Sequence, residues 1–233
     1  MNNLNLYTKE KKPLVFLHGY LSCKESFIYQ YSYFKNNFNV IAFDLVGFGD
    51  NKKMPYPFSL SDYVNYVKDR LDKMGVKKPC VIAHSFGARI AVKLAGSHPD
   101  FFDKIVLVGA AGLKPRFSIK RRAKRLTFKI LKLFVKRERL KRFYSKDYLS
   151  LSPVMRESFK KIISEDLSSS AKKVANKTLI VVGDRDKETP VYMAKRYYKL
   201  IKNSTLLVFK GAGHFAFIDM PDKFNREAKE FLL

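Results

Sequence analysis

Six short apolar runs, none alternating with polar residues, recur along this chain of 233 residues: Leu14-Val-Phe-Leu17, Val40-Ile-Ala-Phe43, Val81-Ile-Ala83, Ile105-Val-Leu-Val108, Leu179-Ile-Val-Val182 and Leu206-Leu-Val-Phe209. A strand with one face in water alternates, whereas a strand apolar at every position is covered on both faces, as crossover helices cover a parallel sheet. Helical spacing fills the intervals at 24–35, 60–74, 86–97, 191–202 and 221–232. Ser59 and Ser61 are candidate caps for the second helix, Gly75 closes it, and Pro221 suits a first helical turn. Strand and helix in regular alternation predict an α/β fold.

The alternation breaks between Gly112 and Asn176, where no strand pattern occurs but Ile119, Ala123, Leu126, Ile130, Leu133, Phe134 and Val135 keep a near-helical spacing. We expect a helical insertion at 113–176 within one domain spanning 1–233, the length suiting a single buried core. Charge concentrates there. The chain carries 46 Lys and Arg against 21 Asp and Glu, a formal +25, and residues 114–173 hold 20 of the bases and only 5 of the acids. Such a field favours an anionic substrate and permits weak association of the basic insertion with an anionic membrane surface. It carries no recognisable nucleic-acid module, so no specific nucleic acid is expected. The N-terminus lacks an apolar signal core and no stretch nears the ~18 apolar residues of a membrane span, which predicts a soluble, cytoplasmic protein. Cys23 and Cys80 have no metal-type spacing and read as small apolar residues.

The chemistry is read from the ends of the runs. In Ala83-His-Ser-Phe-Gly87 an apolar run ends on Ser85 and a helical pattern begins at once, so the hydroxyl sits on a sharp strand-to-helix turn. A serine nucleophile needs a base, for which histidine is the usual partner. Of the four histidines, His18 ends the first run, His98 precedes Pro99 at a helix end, and His84 adjoins Ser85, from which its side chain diverges. His214, in Lys210-Gly-Ala-Gly-His-Phe215 after the last run, is the candidate base. Gly183-Asp-Arg-Asp-Lys-Glu-Thr-Pro190 supplies the acid: Asp186, with Asp184 as the alternative. Two amides would hold an oxyanion, that of Phe86 after the nucleophile and that of Tyr20 after His18-Gly19. Asp44 at a strand end could bind substrate or cap its own loop, and Arg89 could pair with a substrate carboxylate or be packed on the helix after Ser85.

Taken together, His18-Gly19, Asp44-Leu-Val-Gly-Phe-Gly49, the Ser85 turn, Gly183-x-x-Asp186 with Pro190, and Gly211-x-Gly-His214 resemble the α/β-hydrolase superfamily. Ala83 stands in place of the first glycine of Gly-x-Ser-x-Gly, and Ala88 in place of a frequent second glycine. The resemblance implies the α/β-hydrolase fold, with a mostly parallel central sheet, helices on both faces and a helical cap where the basic insertion lies. It implies a serine hydrolase that cleaves a carboxylic ester or related small acyl substrate through Ser85, His214 and Asp186, with no metal or cofactor. C–C bond hydrolases and triad-based lyases or synthases of the superfamily share that machinery and remain open alternatives.

Overall fold

The structure, a computed structural model, describes residues 11–115, 148 and 150–233. The expected helical pattern from Ile119 to Val135 and most of the basic run lie outside the described residues.

All six apolar runs are strands of one fully parallel sheet: β1 (Pro13–Leu17), β2 (Asn39–Ala42), β3 (Cys80–His84), β4 (Lys104–Val108), β5 (Lys177–Gly183) and β6 (Ser204–Phe209), in spatial order β2-β1-β3-β4-β5-β6. The helices are α1 (Ile28–Phe34, entered through a 3-10 turn at Lys24–Phe27), α2 (Leu60–Lys73), α3 (Phe86–Ser97), α4 (Pro153–Ser164), α5 (Ser168–Lys173), α6 (Val191–Leu200), α7 (Ala216–Asp219) and α8 (Pro221–Leu232). Ser59 and Asp62 form a reciprocal capping box at the start of α2, each satisfying the other's backbone N–H.

Successive strand residues point to opposite faces, so each strand feeds two cores. Val15, Leu17, Val81, Ala83, Ile105, Leu107 and Ile180 face the layer of α2, α3, α5 and α6. Leu14, Phe16, Ile82, Val106, Val108 and Val181 face the layer of α1 and α8, where Phe27, Phe34, Phe217 and Phe224 are buried. This two-sided burial is why the runs are continuously apolar. The last strand departs from that expectation: β6 is the sheet edge, Val208 is exposed, and within Leu206–Phe209 only Phe209 is buried.

The described part of the 113–176 segment holds α4 and α5. Ser152 caps α4, accepting from the Met155 amide, with Pro153 in the first turn. Leu167, Ala171 and Val174 join the same core as α3. Among the described residues, no helix is long and apolar enough to cross a membrane.

Candidate active site

Strand order gives the candidate site its position. The chain leaves β1 toward β2 on one side and returns to place β3 on the other, so the sheet has its switch point between β1 and β3. Loops part there at the carboxyl ends of the strands and leave a crevice, the usual ligand position in open α/β sheets. Tyr20 follows β1 and Ser85 follows β3, one on each side of it.

Ser85 has φ 48 and ψ −101, a backbone region that a residue with a Cβ rarely occupies and that neighbours must enforce. They do so here. The Ser85 amide donates to the Val108 carbonyl at 3.0 Å, its carbonyl accepts from Ala111 at 3.4 Å, and the Gly87 amide donates to the His18 carbonyl at 3.1 Å. Gly87 is required by this close approach, because a Cβ there would collide with the Leu17 carbonyl. The turn therefore presents the Ser85 hydroxyl at the start of α3, a helix buried along most of its length.

His214 lies in the loop after β6, which Asp184 and Asp219 fasten: Asp184 accepts from the Gly211 amide and Asp219 from the Gly213 amide, both at 2.7 Å. The imidazole Nδ1 stands 2.8 Å from Asp186 Oδ2, with the Asp186 side chain fully shielded and that of His214 15 % exposed. Asp186, not Asp184, is thus the acid in contact with His214. Room for the ring comes from Gly109, whose φ of +50 suits glycine and where a Cβ would stand 3.0 Å from Nδ1.

Asp186 also accepts from the amides of Glu188 (2.9 Å) and Thr189 (2.8 Å) and from the Thr189 hydroxyl (2.7 Å). Burial pushes its pKa up, but the hydrogen bonds from His214 and Thr189 outweigh burial and hold the carboxyl below its ordinary value. An ionised Asp186 requires the proton on Nδ1 and leaves Nε2 of His214 as a lone pair. Thr189 is a functional neighbour that periodicity and motif do not single out, although an Asp-x-x-Thr spacing lets the threonine hydroxyl and amide fold back onto the carboxylate.

The Tyr20 and Phe86 side chains belong to an aromatic cluster of the core behind the loop after β1 and the start of α3. Their rings meet edge-on at 5.5 Å, Tyr20 also contacts Phe48 at 4.9 Å and Phe159 of α4 at 5.1 Å, and Phe86 meets Tyr63 at 4.9 Å. The Tyr20 hydroxyl donates to the Met155 carbonyl at 3.2 Å, tying the first turn of α4 to the loop after β1. Arg89 ties the other end: its Nη2 donates to the carbonyls of Ile162 and Glu165, the latter at 2.7 Å. That nitrogen is engaged by the end of a helix rather than offered to a substrate carboxylate.

The remaining candidates have structural partners. His18 is buried, donates from Nδ1 to the Gly19 carbonyl at 2.8 Å and accepts the Leu45 amide on Nε2 at 3.0 Å. Burial lowers its pKa. Asp44 closes its own loop, accepting from the amides of Lys24 (2.7 Å) and Asp50 (2.9 Å) and from the Lys24 ammonium at 3.0 Å. Cys23 and Cys80 are free thiols, and among the described residues no group of His, Cys, Asp and Glu is disposed to hold a metal ion.

The family profile of the alpha/beta hydrolase fold matches residues 12–134 and 116–221, most of the chain. The chain belongs to the alpha/beta hydrolase family. Among its relatives are an uncharacterised hydrolase, YugF, of Bacillus subtilis (24 % identical, covering 95 % of this chain and 90 % of that one) and a 2-hydroxymuconate semialdehyde hydrolase of Pseudomonas putida (27 % identical, covering 83 % and 76 %). Of solved structures, a meta-cleavage product hydrolase of Pseudomonas fluorescens is similar at a TM-score of 0.74 and 25 % identity, covering 96 % of this chain and 91 % of that one. In this alpha/beta hydrolase the loops after β1, β3, β5 and β6 all leave the same end of the parallel sheet and carry Tyr20, Ser85, Asp186 and His214.

Proposed function

We propose that this hydrolase cleaves a carboxylic ester or related small acyl substrate through a covalent acyl-enzyme. The observation that carries the reading is the 2.8 Å contact between His214 Nδ1 and Asp186 at the sheet end where Ser85 is forced to φ 48. Ser85 Oγ attacks the carbonyl carbon as its proton passes to His214 Nε2, and the oxyanion is held by the amides of Tyr20 and Phe86. The intermediate collapses, the bond to the leaving group breaks, and His214 returns the proton to that group. Water, deprotonated by His214, then releases the acid and restores Ser85. Asp186 stays ionised throughout and stabilises the imidazolium. The aromatic cluster of Tyr20, Phe48, Phe86 and Phe159 favours an apolar acyl group over a charged one.

Hydrolysis of a C–C bond is a second reading, favoured by the relative named as a 2-hydroxymuconate semialdehyde hydrolase. Fluorophosphonate labelling of wild type, Ser85→Ala and His214→Ala tests the shared machinery. Labelling abolished in the first variant and weakened in the second is expected; a folded wild type that takes no label would overturn the nucleophile. Short-chain p-nitrophenyl esters against dienoate ring-fission products then separate the two substrates, and turnover of the dienoates alone would replace the ester reading.

A further inference from the structure

We infer that His84 is a positioning residue for His214, gripping the base loop by a hydrogen bond from the imidazole to the His214 main chain. The inference rests on the reading of Ser85 and His214 given above. His84 ends β3 immediately before Ser85, and its side chain leaves the strand toward the α1 and α8 layer, away from the serine hydroxyl. It is 1 % exposed. Nε2 lies 3.1 Å from the His214 carbonyl oxygen. A carbonyl only accepts, so Nε2 carries the proton and Nδ1 is a bare lone pair. That lone pair is buried with no hydrogen-bond partner among the described residues, and faces Gly19, where a Cβ would stand 2.8 Å from it.

Leaving a buried polar atom without a partner is destabilising, so packing alone would favour an apolar side chain here. What the imidazole adds is a directed donor. Its ring centroid also lies 4.7 Å from that of His214 and 4.7 Å from that of Phe215, both tilted, and meets Phe217 edge-on at 5.0 Å. One ring thus contacts the loop after β1 through Gly19, the nucleophile through the chain, and the base loop through the His214 carbonyl. The Asp186 contact orients the His214 imidazole but leaves its distance from Ser85 to the backbone of the loop, and His84 holds that backbone. Burial above all, then the neighbouring His214 charge, pushes the His84 pKa down to about 3, so the ring remains a neutral donor when His214 takes up a proton.

His84→Gln and His84→Met test the idea as a pair, since the two side chains are close in shape and only Gln can donate to the carbonyl. The second-order rate of fluorophosphonate labelling and ester kcat and KM are measured beside melting temperature. The Met variant should lose about 10- to 100-fold in labelling rate and kcat, as small misplacements of reacting groups do, with KM little changed, and the Gln variant should recover most of the loss. Equal rates in Met and wild type, or equal losses in Met and Gln, would overturn the inference. If the Met variant does not fold, His84→Leu supplies the donorless comparison. Imidazole nitrogen shifts by NMR give a readout independent of activity: His84 found as the Nδ1–H tautomer would overturn the proposal whether or not Ser85 labels. A folded wild type with the Nε2–H tautomer but no labelling would overturn the catalytic reading of Ser85 and, with it, the consequence drawn for His84, while the hydrogen bond stood.

Discussion

Arg89, one turn past Ser85 on α3, donates through a single guanidinium nitrogen to the carbonyl of Ile162 in the last turn of α4. The same nitrogen reaches Glu165, so a positive charge sits against carbonyls that have no partner within the helix, where the helix dipole is negative. Helix α4 is therefore fastened to α3 at its end and to the Tyr20 hydroxyl at its beginning.

Arg89→Met should release the end of α4. Hydrogen bonds to charged groups contribute about 1.5–3 kcal/mol each, and we expect a loss of stability of that order in urea unfolding. Because Phe159 of α4 contributes to the aromatic cluster, KM for an apolar ester should rise more than kcat falls. A variant with unchanged stability and KM would show that α4 is held without Arg89, by the Tyr20 hydroxyl and its other contacts.

Thr189→Val keeps the volume of the side chain and removes the hydroxyl that donates to Asp186. The folded pKa of Asp186 lies below its ordinary 3.8, so its contribution to stability is complete above that value and is lost as pH falls through the folded value. The variant raises the folded pKa toward the ordinary one. Its melting temperature should therefore fall furthest below wild type at neutral pH, and the gap should narrow as pH drops below the ordinary 3.8 and vanish only below the folded wild-type value, where the carboxyl is protonated in both. A gap that does not vary with pH would place the effect in packing.

Asp186→Asn should leave the fold intact and cut ester kcat by about 1,000- to 10,000-fold, since an amide both loses the negative charge and permits the wrong imidazole tautomer. Asp184→Asn, at a side chain that holds the Gly211 amide and does not touch His214, should retain kcat within severalfold. Comparable losses in the two would remove Asp186 from the role assigned to it.

Gly87→Ala tests the turn itself. The added methyl meets the Leu17 carbonyl, backbone that has nowhere to retreat, and overpacking of this kind costs about 1–3 kcal/mol. Thermal unfolding should report that loss, and fluorophosphonate labelling should slow with it as Ser85 is displaced. A neutral effect on both would mean that β1 and α3 can separate without disturbing the serine.

Much of this was legible in the chain because it is local. A run apolar at every position records burial on two faces, a serine at the junction of such a run with a helical pattern records a turn, and Ser59 or Ser61 ahead of the second helical pattern records a cap, of which the structure uses Ser59; none of these requires knowing what lies across the sheet. The base and its acid could be narrowed to His214 and to Asp186 or Asp184 because each follows a strand. What the tertiary structure decided depends on distance between segments far apart in sequence. Strand order alone makes β6 an edge, leaving Val208 exposed in a run that looks as apolar as the others. Asp184 and Asp186 are two residues apart in one loop, and only the path of the chain after β6 brings the second to His214 and turns the first toward Gly211. Arg89 and His84 are polar residues in apolar surroundings whose partners, Ile162, Glu165 and the His214 carbonyl, lie 73 to 130 positions away. Periodicity records which face of an element is buried; it does not record which polar group waits on the other side.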